Sequence, residues 1–121
     1  MSQFQKNNSF EKRIAESNRV KIKYPDKLPI IIEKDINTKN INEIDKKKYL
    51  VPSDLTLGQL IFIIRKRLKL DSNKSLFIFI SSEKILAPTS QTISEIYRNH
   101  KDKDGFLYCS YCSENTFGSF Y

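Results

Sequence analysis

Residues 48–68 read KYLVPSDLTLGQLIFIIRKRL, and two periodicities meet inside them. Lys48-Tyr49-Leu50-Val51, stopped by Pro52, predicts a short strand, because proline cannot continue the ladder. Period-two alternation sends Lys48 and Leu50 to one face and Tyr49 and Val51 to the other. Thr56-Leu57-Gly58-Gln59 then has the Thr-x-x-Gln spacing of a capping box, in which each side chain satisfies the other residue's free backbone donor. Leu57, Leu60, Ile61, Ile64 and Leu68 follow helical spacing, so the helix packs one face on a core and leaves Arg65, Lys66 and Arg67 largely exposed.

Upstream, residues 28–33 read as a strand, and 34–48 have loop composition, with apolar residues thinned to Ile36, Ile41 and Ile44. Before them, Phe10–Lys23 predicts a helix with Ser9 as N-cap and Glu11 in its first turn, broken by Tyr24-Pro25-Asp26. Downstream, Leu76-Phe77-Ile78-Phe79-Ile80 is a continuous apolar run, expected to be central in the sheet and covered on both faces. A second capping box, Thr92-Ile93-Ser94-Glu95, opens a short helix to about Arg98 or Asn99. Lys101-Asp102-Lys103-Asp104-Gly105 then turns the chain into a last strand, 106–112. A hairpin, a helix across it and further strands give an α+β chain of β-grasp type with an N-terminal helical extension. The last strand is expected beside the first.

Length and composition limit what such a chain does. With 121 residues, 39% apolar, and 8 Phe and 6 Tyr, one compact core is expected, with disorder confined to the ends. The net charge of +7 favours acidic partners without choosing among nucleic acid, anionic lipid and acidic peptide. The longest apolar runs are five residues, against roughly 20 needed to cross a bilayer. The start Met1-Ser2-Gln3-Phe4-Gln5-Lys6 lacks the apolar core of a secretory signal, so a cytosolic address is expected. Cys109 and Cys112 form one C-x-x-C in a strand-like run, where positions three apart face opposite ways, and no second Cys pair or His cluster completes a metal site. They read as semi-buried structural thiols. His100, the sole histidine, reads as an exposed structural residue, and neither cysteine has an evident base, which disfavours an enzyme.

Several blocks closely resemble the autophagy ubiquitin-like modifiers, the family of microtubule-associated-protein light chains and GABA-receptor-associated proteins. They are Phe10-Glu11-Lys12-Arg13, Lys46-Lys47-Lys48-Tyr49-Leu50-Val51-Pro52, Gly58-Gln59, Ile64-Arg65-Lys66-Arg67 and His100-Lys101-Asp102-Lys103-Asp104-Gly105-Phe106-Leu107-Tyr108. The resemblance implies a helical extension over 1–23, a ubiquitin-like β-grasp domain over 24–118 and a removable tail over 119–121. It implies that a cysteine protease cuts between Gly118 and Ser119. Activating and conjugating enzymes of the autophagy system then join the Gly118 carboxylate to phosphatidylethanolamine. Such a protein is the substrate of that chemistry, without cofactor or metal of its own. It is cytoplasmic before conjugation and resides on autophagosome membranes and cytoplasmic vesicles afterwards.

The resemblance also implies that autophagy receptors and adaptors add an aromatic-x-x-aliphatic segment as a strand to the edge carrying Lys48-Tyr49-Leu50-Val51. By position, the aromatic pocket comprises Glu16, Val20, Pro29, Lys48, Leu50 and Phe106, and the aliphatic pocket Tyr49, Val51, Pro52, Leu55, Leu60 and Ile63. Lys27 and Arg67, with Lys48, meet acidic residues flanking the motif. Three positions depart from the family pattern: Leu60 stands where phenylalanine is frequent, Val20 is smaller than usual, and Lys27 replaces a common arginine. The 34–45 loop carries an extra residue, and 81–88 is about two residues longer than typical. The competing reading is a non-conjugated basic scaffold that binds cytoskeleton or RNA through Lys46-Lys47-Lys48 and Arg65-Lys66-Arg67. It lacks the aromatic stacking motif of a single-strand RNA platform, so no specific nucleic acid is expected.

Overall fold

A computed structural model describes residues 1–113, so the expectations for Gly118 and the tail lie outside the described residues. The elements are α1 (Gln3–Asn7), α2 (Phe10–Lys23), β1 (Lys27–Lys34), β2 (Lys48–Pro52), α3 (Leu57–Leu68), β3 (Leu76–Ile80), α4 (Ile93–His100) and β4 (Leu107–Ser113). The four strands form one sheet in the order β2-β1-β4-β3. β1 pairs antiparallel with β2 and parallel with β4, and β3 pairs antiparallel with β4. The last strand therefore lies beside the first, as a β-grasp requires.

Alternation along the strands sorts the side chains into two layers. Ile30, Ile32, Tyr49, Val51, Ile78, Ile80, Leu107, Cys109 and Tyr111 join the buried face of α3 (Leu57, Leu60, Ile64, Leu68) and Ile93, Ile96 and Tyr97 of α4 in one core. The opposite face carries the cross-strand neighbours Pro29 and Leu50, then Ile31 between Lys48 and Tyr108, then Glu33 and Ser110. The N-terminal extension covers this second face, α1 through its contacts with Glu33 and Phe106 and α2 along β1. Ile41 and Ile44 of the β1–β2 connection are buried in the core, whereas Ile36 is exposed.

Caps explain why the helices begin where they do. Ser9 accepts from Lys12 N, and Thr56 and Gln59 form the reciprocal capping box expected of α3. Thr92 caps α4 by accepting from Glu95 N, but the Glu95 carboxylate lies 3.5 Å from the Gln91 amide nitrogen, so the second box is only half formed.

One expectation requires correction. Among the described residues β3 is an edge strand, not a central one: its side chains are covered on both faces, yet the one strand it pairs with there is β4. Burial concerns faces and centrality concerns edges, so an apolar run reports the first alone. Residues 81–85 partly cover that edge, turning through Ser81 and Lys84 at positive φ so that Ile80 and Ile85 exchange two backbone hydrogen bonds. At the start of the chain lies α1, opened by its own capping box between Ser2 and Gln5.

Candidate functional site

β2 exposes its free edge beside α2, and a cavity of about 130 Å³ opens between them. The structure brings all six residues of the expected aromatic set to its wall: Glu16 and Val20 from α2, Pro29 from β1, Lys48 and Leu50 from β2, and Phe106 just before β4. Glu16 and Val20 are one helical turn apart and so share a face. Pro29 and Leu50 are register partners across β1 and β2. Lys48 Nζ lies 2.7 Å from Glu16 Oε2, with the lysine side chain 52% and the glutamate 25% exposed. A pair this wet is easily exchanged for an incoming acidic group. Lys46 and Tyr49 complete the lining. Lys46 was missed as a wall because it reads only as part of a charge run.

The expected aliphatic set is less uniform. Tyr49 and Val51 point to the core side of β2, and Leu60 has no exposed surface at all. Leu55 packs partly against that cluster, while Pro52 and Ile63 are exposed. Of the flanking cations, Arg67 is already engaged: Nε donates to Asp45 Oδ1 at 2.9 Å, and the guanidinium lies 6.0 Å from the Tyr49 ring centroid. Lys27 is exposed, with Nζ 5.8 Å from the Tyr24 ring centroid.

Tyr49 holds an unusual group for a sheet edge. Its hydroxyl is buried and has no hydrogen-bond partner among the described residues, and burial raises its pKa above the ordinary phenol value. An orphaned buried hydroxyl carries a desolvation penalty of about 1–3 kcal/mol. Tyr49→Phe is accordingly expected to stabilise the fold by about 1 kcal/mol, read as a higher urea midpoint at unchanged slope.

Beneath the cavity, Asp104 ties α2 to the sheet. It has no exposed surface; its Oδ2 accepts from Arg13 Nη1 at 2.6 Å and from the Tyr108 hydroxyl at 2.5 Å, and its Oδ1 accepts from Phe106 N at 2.9 Å. Its carbonyl accepts from Ser17 Oγ at 2.5 Å. Burial and the bond to Asp104 push the Tyr108 hydroxyl far above the usual phenol range. The next residue must be glycine: Gly105 has φ +90°, and a Cβ there would stand 2.4 Å from Ser17 Oγ. The face that α2 turns inward is thus polar, Arg13 and Ser17, while Phe10 is left 42% exposed.

The C-x-x-C and His100 stand apart from this site. Cys109 and Cys112 are free and buried rather than semi-buried, on opposite faces of β4, and burial pushes their thiols up to about 12 and about 11. His100 is half-buried at the end of α4. Among the described residues, no cluster of three or more His, Cys, Asp or Glu could hold a metal ion.

Comparison with known proteins places this geometry. Residues 12–118 match the family described as autophagy protein Atg8, ubiquitin like. The chain is 56% identical over 118 residues to autophagy-related protein 8 of Schizosaccharomyces pombe, covering 98% of this chain and 95% of the relative. It is 52% identical over 116 residues to autophagy-related protein 8e of Arabidopsis thaliana, covering 96% and 93%. The crystal structure of Trypanosoma brucei ATG8 is similar with a TM-score of 0.87 at 40% identity, covering 94% of this chain and 96% of that one. The chain therefore belongs to the Atg8 family of ubiquitin-like autophagy proteins.

Proposed function

We propose that this protein is cleaved after Gly118, joined through that residue to phosphatidylethanolamine, and then recruits receptors and adaptors by docking their aromatic-x-x-aliphatic segments along β2. The ubiquitin-like unit is 24–118, and 119–121 is the removed tail. The protein supplies no catalytic group; a processing protease and the activating and conjugating enzymes act on it. It is cytoplasmic until two acyl chains, which suffice for stable anchoring, hold it on autophagosomes and vesicles.

The observation that carries the docking reading is the convergence of Glu16, Val20, Pro29, Lys48, Leu50 and Phe106 on one cavity beside a free strand edge. A segment running parallel to β2 places its aromatic residue there. Its aliphatic residue falls three positions on, over Pro52, Leu55 and Ile63 with Leu60 as the buried floor. Lys48, Lys27 and Arg67 attract acidic flanks and make association salt-dependent.

Leu50 is half-buried, so its truncation costs the free protein little and removes a cavity wall. Leu50→Ala is expected to weaken a Trp-x-x-Leu peptide by about 10- to 100-fold, measured by calorimetry. Tight, salt-steep RNA binding indifferent to this substitution, with no peptide binding, would favour the basic scaffold instead. For conjugation, mass spectrometry of the cellular protein should find a species ending at Gly118 that carries a phospholipid. Intact 121-residue chains alone would refute it.

A further inference from the structure

Phe106 forms a wall of the aromatic cavity while only 1% of its surface is exposed, so something must cover its other side. That cover is Phe4 of α1, whose ring meets Phe106 edge to face with centroids 5.1 Å apart and lies 6.4 Å from Tyr108. Lys48, which pairs with Glu16 at the cavity, also has Nζ 5.7 Å from the Phe4 ring centroid. Phe4 thus touches two residues of the cavity without lining it. The helix that carries it is held to the sheet by Glu33, whose two carboxylate oxygens accept from Gln3 N at 3.2 Å and Phe4 N at 3.1 Å.

The helix neither plugs the cavity nor belongs to the core. It buries none of its residues, and it leaves a separate space of about 330 Å³ between itself and Lys46, Lys47 and Lys48. Contacts from so small an element add little to global stability. Their effect is local, on the position and mobility of Phe106 and Lys48. A ring backed by another ring in edge-to-face contact is fixed in its rotamer, and a pocket whose walls are fixed beforehand binds more tightly than one that must order on binding.

We infer that Phe4 is a positioning residue for the aromatic cavity: α1, clipped to Glu33, holds Phe106 and Lys48 in the arrangement that receives an aromatic side chain. This rests on the docking reading above and deepens it.

The test uses the full chain and a synthetic acidic peptide with a Trp-x-x-Leu core. The protein contains no tryptophan, so the peptide indole is the sole reporter of its surroundings. Phe4→Ala is expected to weaken binding about five- to tenfold and to shift bound-indole emission to the red, with far-ultraviolet circular dichroism retained. Phe4→Leu should restore most of both. Against a peptide with Ala in place of Trp, Phe4→Ala should change nothing further, which a general loss of structure would not reproduce. Glu33→Ala releases the clip from outside the cavity and should weaken binding in the same direction. Wild-type affinity in Glu33→Ala, alongside fast amide exchange over residues 3–7, would overturn the inference. So would unchanged binding by Phe4→Ala, and tighter binding would make α1 an obstruction instead. If the wild-type chain itself fails to bind, the docking reading falls and takes this inference with it; failure confined to the Phe4 and Glu33 variants leaves docking intact.

Discussion

Gly118→Ala is expected to leave the protein folded, full-length and off the membrane. A tail threaded through narrow active sites must let enzyme backbone approach closely, and an added Cβ both fills that space and restricts the torsions available. Displacing a scissile or reacting carbonyl by even ~1 Å can slow chemistry about 100-fold, so processing and lipid transfer should both fall by at least about that factor. Two measurements separate the steps. On the 121-residue chain, mass spectrometry after protease treatment should show the uncut species. On a chain made to end at residue 118, which bypasses cleavage, the glycine form should take up phosphatidylethanolamine and the alanine form should not. Wild-type lipidation of both alanine forms would sink the proposal.

Peptide docking should be untouched by that substitution, because the cavity is built from residues 16–106. Phe106 stands just before β4 and Ser113 ends it, so at about 3.3 Å per residue the cavity and the start of the tail are roughly 20 Å apart along one strand. The five residues from 114 to 118 reach at most about 17 Å further. The cavity and the last described residue, Ser113, thus lie at opposite ends of β4.

What the sequence made legible follows from how local each signal is. α3 could be read from its capping box and its 57, 60, 64, 68 spacing, because helical periodicity and end hydrogen bonds are settled within a few residues. β2 was legible with its two faces, since the side-chain period holds wherever it sits in the sheet. The six-residue aromatic set spans Glu16 to Phe106 and was reachable only through resemblance; periodicity joined Glu16 to Val20 and nothing more. The place of β3 at an edge was not legible, because apolar content measures covering and not pairing. The start of α1 is written just as locally, because Ser2-Gln3-Phe4-Gln5 has the same spacing as the capping box at Thr56, whereas its contacts with Glu33 and Phe106 are not. Asp104 looked like one more charge in a polar turn, and its partner Arg13 is 91 residues away, which no local pattern reports.

Asp104→Ala carries the largest expected loss of stability. The Arg13 and Asp104 side chains are 10% and 0% exposed, so the pair is inside the protein, and removing one partner strands the other charge away from water. That costs about 3–5 kcal/mol, and the Tyr108 hydroxyl and Phe106 N–H lose their acceptor as well. With a urea slope of about 1–3 kcal/mol/M, the midpoint should fall by roughly 2 M. The pair itself need not be strongly stabilising, since a buried pair replaced by apolar groups of similar volume is often neutral. Arg13→Met with Asp104→Leu should therefore lose much less than the sum of the two single changes, and additive losses would show that the charges do not interact. The same cycle bears on function. Asp104 joins the inner face of α2, through Arg13 and Ser17, to Phe106, while Glu16 and Val20 of that helix and Phe106 wall the cavity. A double variant that recovers stability but still binds the Trp-x-x-Leu peptide weakly would show that this ion pair sets the spacing of the cavity walls as well as the strength of the fold.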